Sequence, residues 1–161
     1  MSEIMTAAIA QIKSEVSDSI TWSVISPSWK ANLIRRPFAS FGKIHMTTKI
    51  DSSTDKDYVC DKLIHEVIHI RQQQTGTVKW LASYVTFSKF RAVVEIEAFG
   101  AEYKRALSHG AAINWLAVEN MLVKQYFCAF SKEVAKIFTK SLQDGSFDTV
   151  DWKRIVEQVN I

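Results

Sequence analysis

Turn-forming residues are scarce in this chain: of 161 positions only five are Gly and two are Pro. So few places to reverse direction favour long helices. Cysteine is nearly absent as well. Cys60 and Cys128 form no CxxC pair and each sits in a helical pattern, which excludes a disulfide scaffold and reads as core thiols in a reducing compartment. No window is long and apolar enough to cross a bilayer, and the N-terminal stretch carries Glu3 and Glu15 where a signal peptide would have an uninterrupted apolar core. The expectation is a cytoplasmic protein with no membrane partner. Charge of one sign is also missing as a block: 20 Lys and Arg against 17 Asp and Glu give +3 and a pI near 8.8, dispersed along the chain, so nucleic acid binding gains no support.

What is present is an ordinary globular composition, 47% hydrophobic and 23% charged, with no repeat, low-complexity tract or linker. One core usually serves a chain of this length, so residues 1–161 are expected to form a single domain. Met5, Ile9, Ile12 and Val16 recur at helical spacing and predict an amphipathic helix over 4–16, a part of the core or a detachable cover. The β-branched and aromatic run 20–26 predicts a short strand ending at Pro27. FGKIHMTTKI (41–50) alternates, with Ile44, Met46, Thr48 and Ile50 on one face, and predicts a half-buried strand. Thr54 and Asp57 predict a capped helix start, and Gly76 its end. Residues 78–87 are apolar and ambiguous. Four more helices are predicted over 88–109, 113–127, 132–142 and 149–159, the last two separated by Asp144-Gly145. The fold class is therefore α+β, mostly helical, with a small N-terminal sheet.

The helix beginning near residue 55 carries the chemistry. Its stretch LIHEVIHIRQQ places His65 and His69 four residues apart, about 40° in azimuth on a helix, so two imidazoles project side by side and can serve one metal. Glu66 follows the first histidine, where it can reach a metal-activated water without being a ligand, the position of a general base. The plainer reading, two histidines on a helix with no metal, is weakened by the context: a strand, a capping signal and an apolar helix around an HExxH string. A zinc site of this kind needs a third protein ligand and an open position. The other histidines are His45, in the strand, and His109, at a helix end. The residues after His69, IRQQQTG, lack the third histidine of an HExxHxxGxxH site. Downstream, FRAVVEIEAFGAEY (90–103) offers Glu95, Glu97 and Glu102.

Over roughly residues 41–105 these features resemble the gluzincin superfamily of zinc metallopeptidases, especially the minigluzincins and the compact phage and bacterial proteins with an HExxHxxQ pattern. The resemblance implies a zincin-like fold with a small antiparallel sheet, Zn²⁺ as cofactor, and a third ligand that opens an ExxxD or ExxAD motif. EIEAF is similar to that motif, with Glu95 first and Ala98 in the small-residue place. Phe99 stands where the family often has an Asp that orients a ligating histidine. The resemblance further implies that strand 41–50 is an edge strand able to pair with an extended peptide; simple packing is the other use of such a strand. Helix geometry also separates the glutamates. Glu95 and Glu97 lie about 200° apart and cannot both face one metal. Ala98 and Glu102 share the face of Glu95, whereas Glu97 falls with Val93, Val94 and Ala101, which read as packing positions.

The resulting expectation is a zinc metallopeptidase acting on a peptide or protein substrate, with His65, His69 and Glu95 as metal ligands and Glu66 as base. The alternative is a catalytically weak zincin-fold interaction protein, for instance an assembly component associated with a phage virion. Gln72, Gln73, Tyr84, Arg91, Tyr103 and Tyr126 are donors that could face an oxyanion, but spacing alone singles out none of them.

Overall fold

The computed structural model describes residues 1–16, 20–74, 76–124 and 130–159. It is mostly helical with one three-stranded sheet, and it divides into two compact units, Met1–Thr77 and Val78–Ile161. Tyr126, Phe127 and Cys128 lie outside the described residues.

In the first unit, helix α1 (Glu3–Glu15) begins where the Ser2 hydroxyl accepts the Met5 N–H, satisfying one of the open donors of a helix start. Its stripe of Met5, Ala8 and Ile12 is fully buried with Ile44, Val59, Leu63 and Val67, and α1 packs on helix α4 (Lys56–Gln73). The segment expected over 4–16 is thus part of the core. The start of α4 falls one residue later than the expected Thr54: Asp55 is the cap, its Oδ1 accepting the Tyr58 N–H at 3.0 Å. A carboxylate three residues before an open N–H makes a strong cap beside the positive end of the helix.

Between these helices lie β1 (Ser23–Ile25), α2 (Trp29–Ile34), β2 (Phe38–Ser40), β3 (Lys43–His45) and the single turn α3 (Thr48–Asp51). The sheet order is β1-β3-β2, with β1 parallel to β3 and β2 antiparallel. The sheet is therefore mixed and not antiparallel as expected. The strand expected over 41–50 is shorter and lies in the centre of the sheet, not at its edge. Beyond His45 the chain turns into α3, where Thr47 Oγ1 accepts the Ile50 N–H and Asn32 holds Thr48 by two hydrogen bonds of 2.8 Å. Alternation misled here because Met46 and Ile50, both buried, are four apart, a spacing that fits an alternating strand and a helical turn equally. Phe41 (φ 50°) and Gly42 (φ 72°) form the two-residue reversal between β2 and β3, both left-handed as such hairpin turns require.

In the second unit α5 (Thr77–Thr86) occupies the ambiguous segment, followed by α6 (Ser88–Ser108), α7 (Trp115–Lys124), α8 (Lys132–Gln143), a 3₁₀ turn (Phe147–Thr149) and α9 (Trp152–Gln158). Gly110 and Gly145 take positive φ just past α6 and α8, where a left-handed residue closes a helix end. This unit has its own buried cluster, built on Ile96, Phe99, Leu122, Phe130, Phe138 and Trp152. Phe99 is thus a core residue. Tyr103 lies against Phe99, Trp115 and Phe138, and burial, with the Glu102 charge beside it, pushes its phenol far above the ordinary value. It stays protonated and serves packing.

Candidate metal centre

Helix α4 sets the first two ligands. His65 and His69 are both buried, their ring centroids 5.0 Å apart and their planes at 80°, so the i,i+4 spacing brings the imidazoles together as the sequence predicts. His69 Nδ1 lies 2.9 Å from Gln72 Oε1, one turn along the same helix. A carbonyl oxygen can only accept, so Nδ1 carries the proton and Nε2 presents its lone pair. Glu66 is only 3% exposed. A carboxylate so withdrawn from water makes sense beside a cation or at a point where a proton is taken up.

Gln73, the next residue, does something else. Its Nε2 donates to the Ala39 carbonyl at 2.9 Å, and its Oε1 accepts the Phe41 N–H at 3.3 Å. One side-chain amide thereby serves two main-chain groups of β2 and its turn, as a neighbouring strand would. Since β3 is paired on both sides, it has no edge for an added peptide strand, and Gln73 already engages part of β2.

On α6, Glu95 is 2% exposed and Glu97 faces solvent. Of Val93, Val94 and Ala101, expected to share the face of Glu97 as packing positions, Val94 is buried and the other two are half-buried, and Ala98 is buried beside Glu95. Tyr84 donates a short hydrogen bond to Glu95 Oε1. Arg91, also buried, donates Nη1 to the carbonyls of Tyr84 at 2.7 Å and Val85 at 3.2 Å. Of the remaining histidines, His45 belongs to the sheet, stacked on Phe38 at 4.4 Å with its Nδ1 3.0 Å from Ser28 Oγ, and His109 is an exposed cap of α6.

Among the described residues, His65, His69 and Glu95 form a buried group that could hold a metal ion, each offering one ligand atom, with these atoms all within 4.8 Å of one another. Two imidazoles and a carboxylate match the donor types zinc takes.

No family model, curated protein or solved structure matches the chain. The site is therefore read from its own chemistry. Sequence reasoning had no role for the Gln72 and Tyr84 contacts beyond a general pool of donors. Gln72 was within reach of the i,i+3 rule, whereas Tyr84 lies on a different helix from Glu95, and no spacing rule joins them.

Proposed function

We propose that this chain is a zinc-dependent metallopeptidase in which His65, His69 and Glu95 hold the ion and Glu66 is the general base. The observation that carries this reading is the buried set of two imidazoles and one carboxylate, next in sequence to a second, buried carboxylate. When bound, zinc supplies Lewis acidity that acidifies water and polarises a peptide carbonyl. Glu66 then accepts a proton as water attacks that carbonyl and returns it to the departing amine nitrogen, which leaves as a neutral amine. Gln72 holds His69 in the tautomer that offers Nε2. The peptide would lie against a surface other than β3, whose two sides are paired.

The test is metal content of the native protein by mass spectrometry, with hydrolysis of a mixed peptide library. One zinc per chain is expected, lost in Glu95→Ala and kept in Glu97→Ala. Glu66→Gln should keep zinc while turnover falls by about 10² to 10⁴. Absence of zinc uptake at micromolar free zinc refutes the metal site; unchanged turnover in Glu66→Gln refutes the mechanism. The closed central strand favours a second reading, a zinc-holding interaction protein of zincin type in a larger assembly, for which the wild type would bind zinc and cleave nothing.

A further inference from the structure

Within α5 and α6 three side chains close a loop that ends on Glu95. The Tyr84 ring stacks on Trp80, centroids 4.9 Å apart at 18°. The Arg91 guanidinium lies 5.8 Å from the Tyr84 ring centroid and donates to the carbonyls of Tyr84 and Val85. Those carbonyls belong to the last turn of α5, where a helix has acceptors without intrahelical partners. Arg91 therefore satisfies the end of one helix from the first turn of the next. Phe87 is the elbow between them. Arg91 and Glu95 are four apart on α6, so the residue that fixes the Tyr84 backbone and the residue that receives the Tyr84 hydroxyl share one helical face.

We infer that Tyr84 is the positioning residue for the Glu95 carboxylate, and that Arg91 and Trp80 hold Tyr84 for this purpose. This rests on the metal site proposed above. A glutamate has three side-chain torsions, and an unheld carboxylate samples several rotamers before meeting a cation. The hydroxyl donates to Oε1, which settles the orientation of the carboxylate plane. Tyr84 is a neutral donor, so it orients the ligand without adding a charge to the site. Its ring is held by stacking on one neighbour and its carbonyl by Arg91 Nη1, and this rigidity makes the hydroxyl a fixed reference point.

The experiment compares wild type, Tyr84→Phe and Arg91→Lys for zinc affinity by competition with a chromophoric chelator, for the visible spectrum of the Co²⁺-loaded protein, and for melting of the metal-free protein. Loss of an outer partner of a ligand typically weakens metal binding by about 10- to 100-fold. Tyr84→Phe is expected to show that loss, with an altered Co²⁺ spectrum and little change in metal-free melting, a combination that a purely structural role would not produce. Arg91→Lys keeps the charge but not the planar guanidinium that lies near the Tyr84 ring, and should weaken zinc in the same direction by less. Wild-type zinc affinity in both variants, with an unchanged Co²⁺ spectrum, overturns the inference and leaves the metal site standing. No zinc uptake by the wild type removes the metal site itself.

Discussion

Ile12→Ala tests whether α1 is core or cover. The Ile12 side chain is completely buried within the cluster that includes Met5, Ile44 and Val67. The substitution removes three carbons, worth about 0.8 kcal/mol each on transfer, or roughly 2.4 kcal/mol. The vacated space adds a further cost because the surrounding helices relax only in part, and the total for such truncations is about 3–5 kcal/mol. For a urea dependence near 2 kcal/mol per molar, the midpoint should fall by about 1.5–2.5 M. Because the two units need not unfold together, the readout is hydrogen exchange at the amides of α4, which packs on α1, across a urea titration. Ala10→Ser, on the exposed side of α1, is the control and should stay within about 0.5 kcal/mol. A loss below about 1 kcal/mol, or a folded variant with raised peptidase activity, would refute the core assignment and make α1 a detachable cover.

Burial lowers the His45 pKa from its ordinary value, helped by Lys30 and Lys43; the unfolded chain therefore binds the proton more readily. The His45 contribution to stability is complete above about pH 6.5 and lost as pH falls toward the folded pKa, with a slope of at most about 1.4 kcal/mol per pH unit, which His45→Gln should remove from urea midpoints measured between pH 5 and 7. In Gly100→Ala, a Cβ would stand 2.1 Å from the Phe147 ring, so overpacking of about 1–3 kcal/mol should outweigh the gain of about 1 kcal/mol in helix propensity. Melting of the second unit should drop, and Phe147→Leu in the same chain should recover part of the loss. Gln72→Glu should tighten zinc binding in the chelator competition, because a carboxylate behind an imidazole raises its basicity; weaker binding would show that the Gln72 amide is needed for its geometry alone.

Legibility followed length. Helices α4 and α6 run 18 and 21 residues, enough turns for a 3.6-residue period, a cap and a terminal glycine to agree, and their extents were readable to within a residue or two. Strands of three residues and a helix of six give no such redundancy, and β2 and α2 passed unnoticed. The parallel pairing of β1 with β3 is a tertiary fact with no local sign, since a strand carries the same residues whichever way its neighbour runs. Thr48 to Ile50 went to a helix because Asn32 and the Thr47 cap prevailed over a weak alternation. At the candidate site the same logic holds: His65 and His69 share a helix and follow from geometry alone, and Glu95 and Glu97 differ in azimuth, Glu95 being buried and Glu97 exposed. The Tyr84 contact depends on how α5 turns into α6, which no periodicity encodes.

Phe99 connects these observations. In the position where the resembling family often places an acid, this chain has a 2%-exposed aromatic within the core of its second unit, and an ionised carboxylate there would cost several kcal/mol without a partner. In the proposed metal site the residue that orients a histidine is Gln72, which stands behind His69 on its own helix. An amide is a weaker acceptor than a carboxylate, so His69 gives less electron density to a cation than a carboxylate-backed histidine would. In the proposed metal site a weaker donor would trade metal affinity for Lewis acidity, which suits a site that polarises a carbonyl better than one that only ties helices together. Gln72 thus bears on the choice between a peptidase and a zinc-holding interaction protein: if the site is catalytic, Gln72→Glu should tighten zinc and slow hydrolysis in the same variant, an opposition that a structural site has no reason to show.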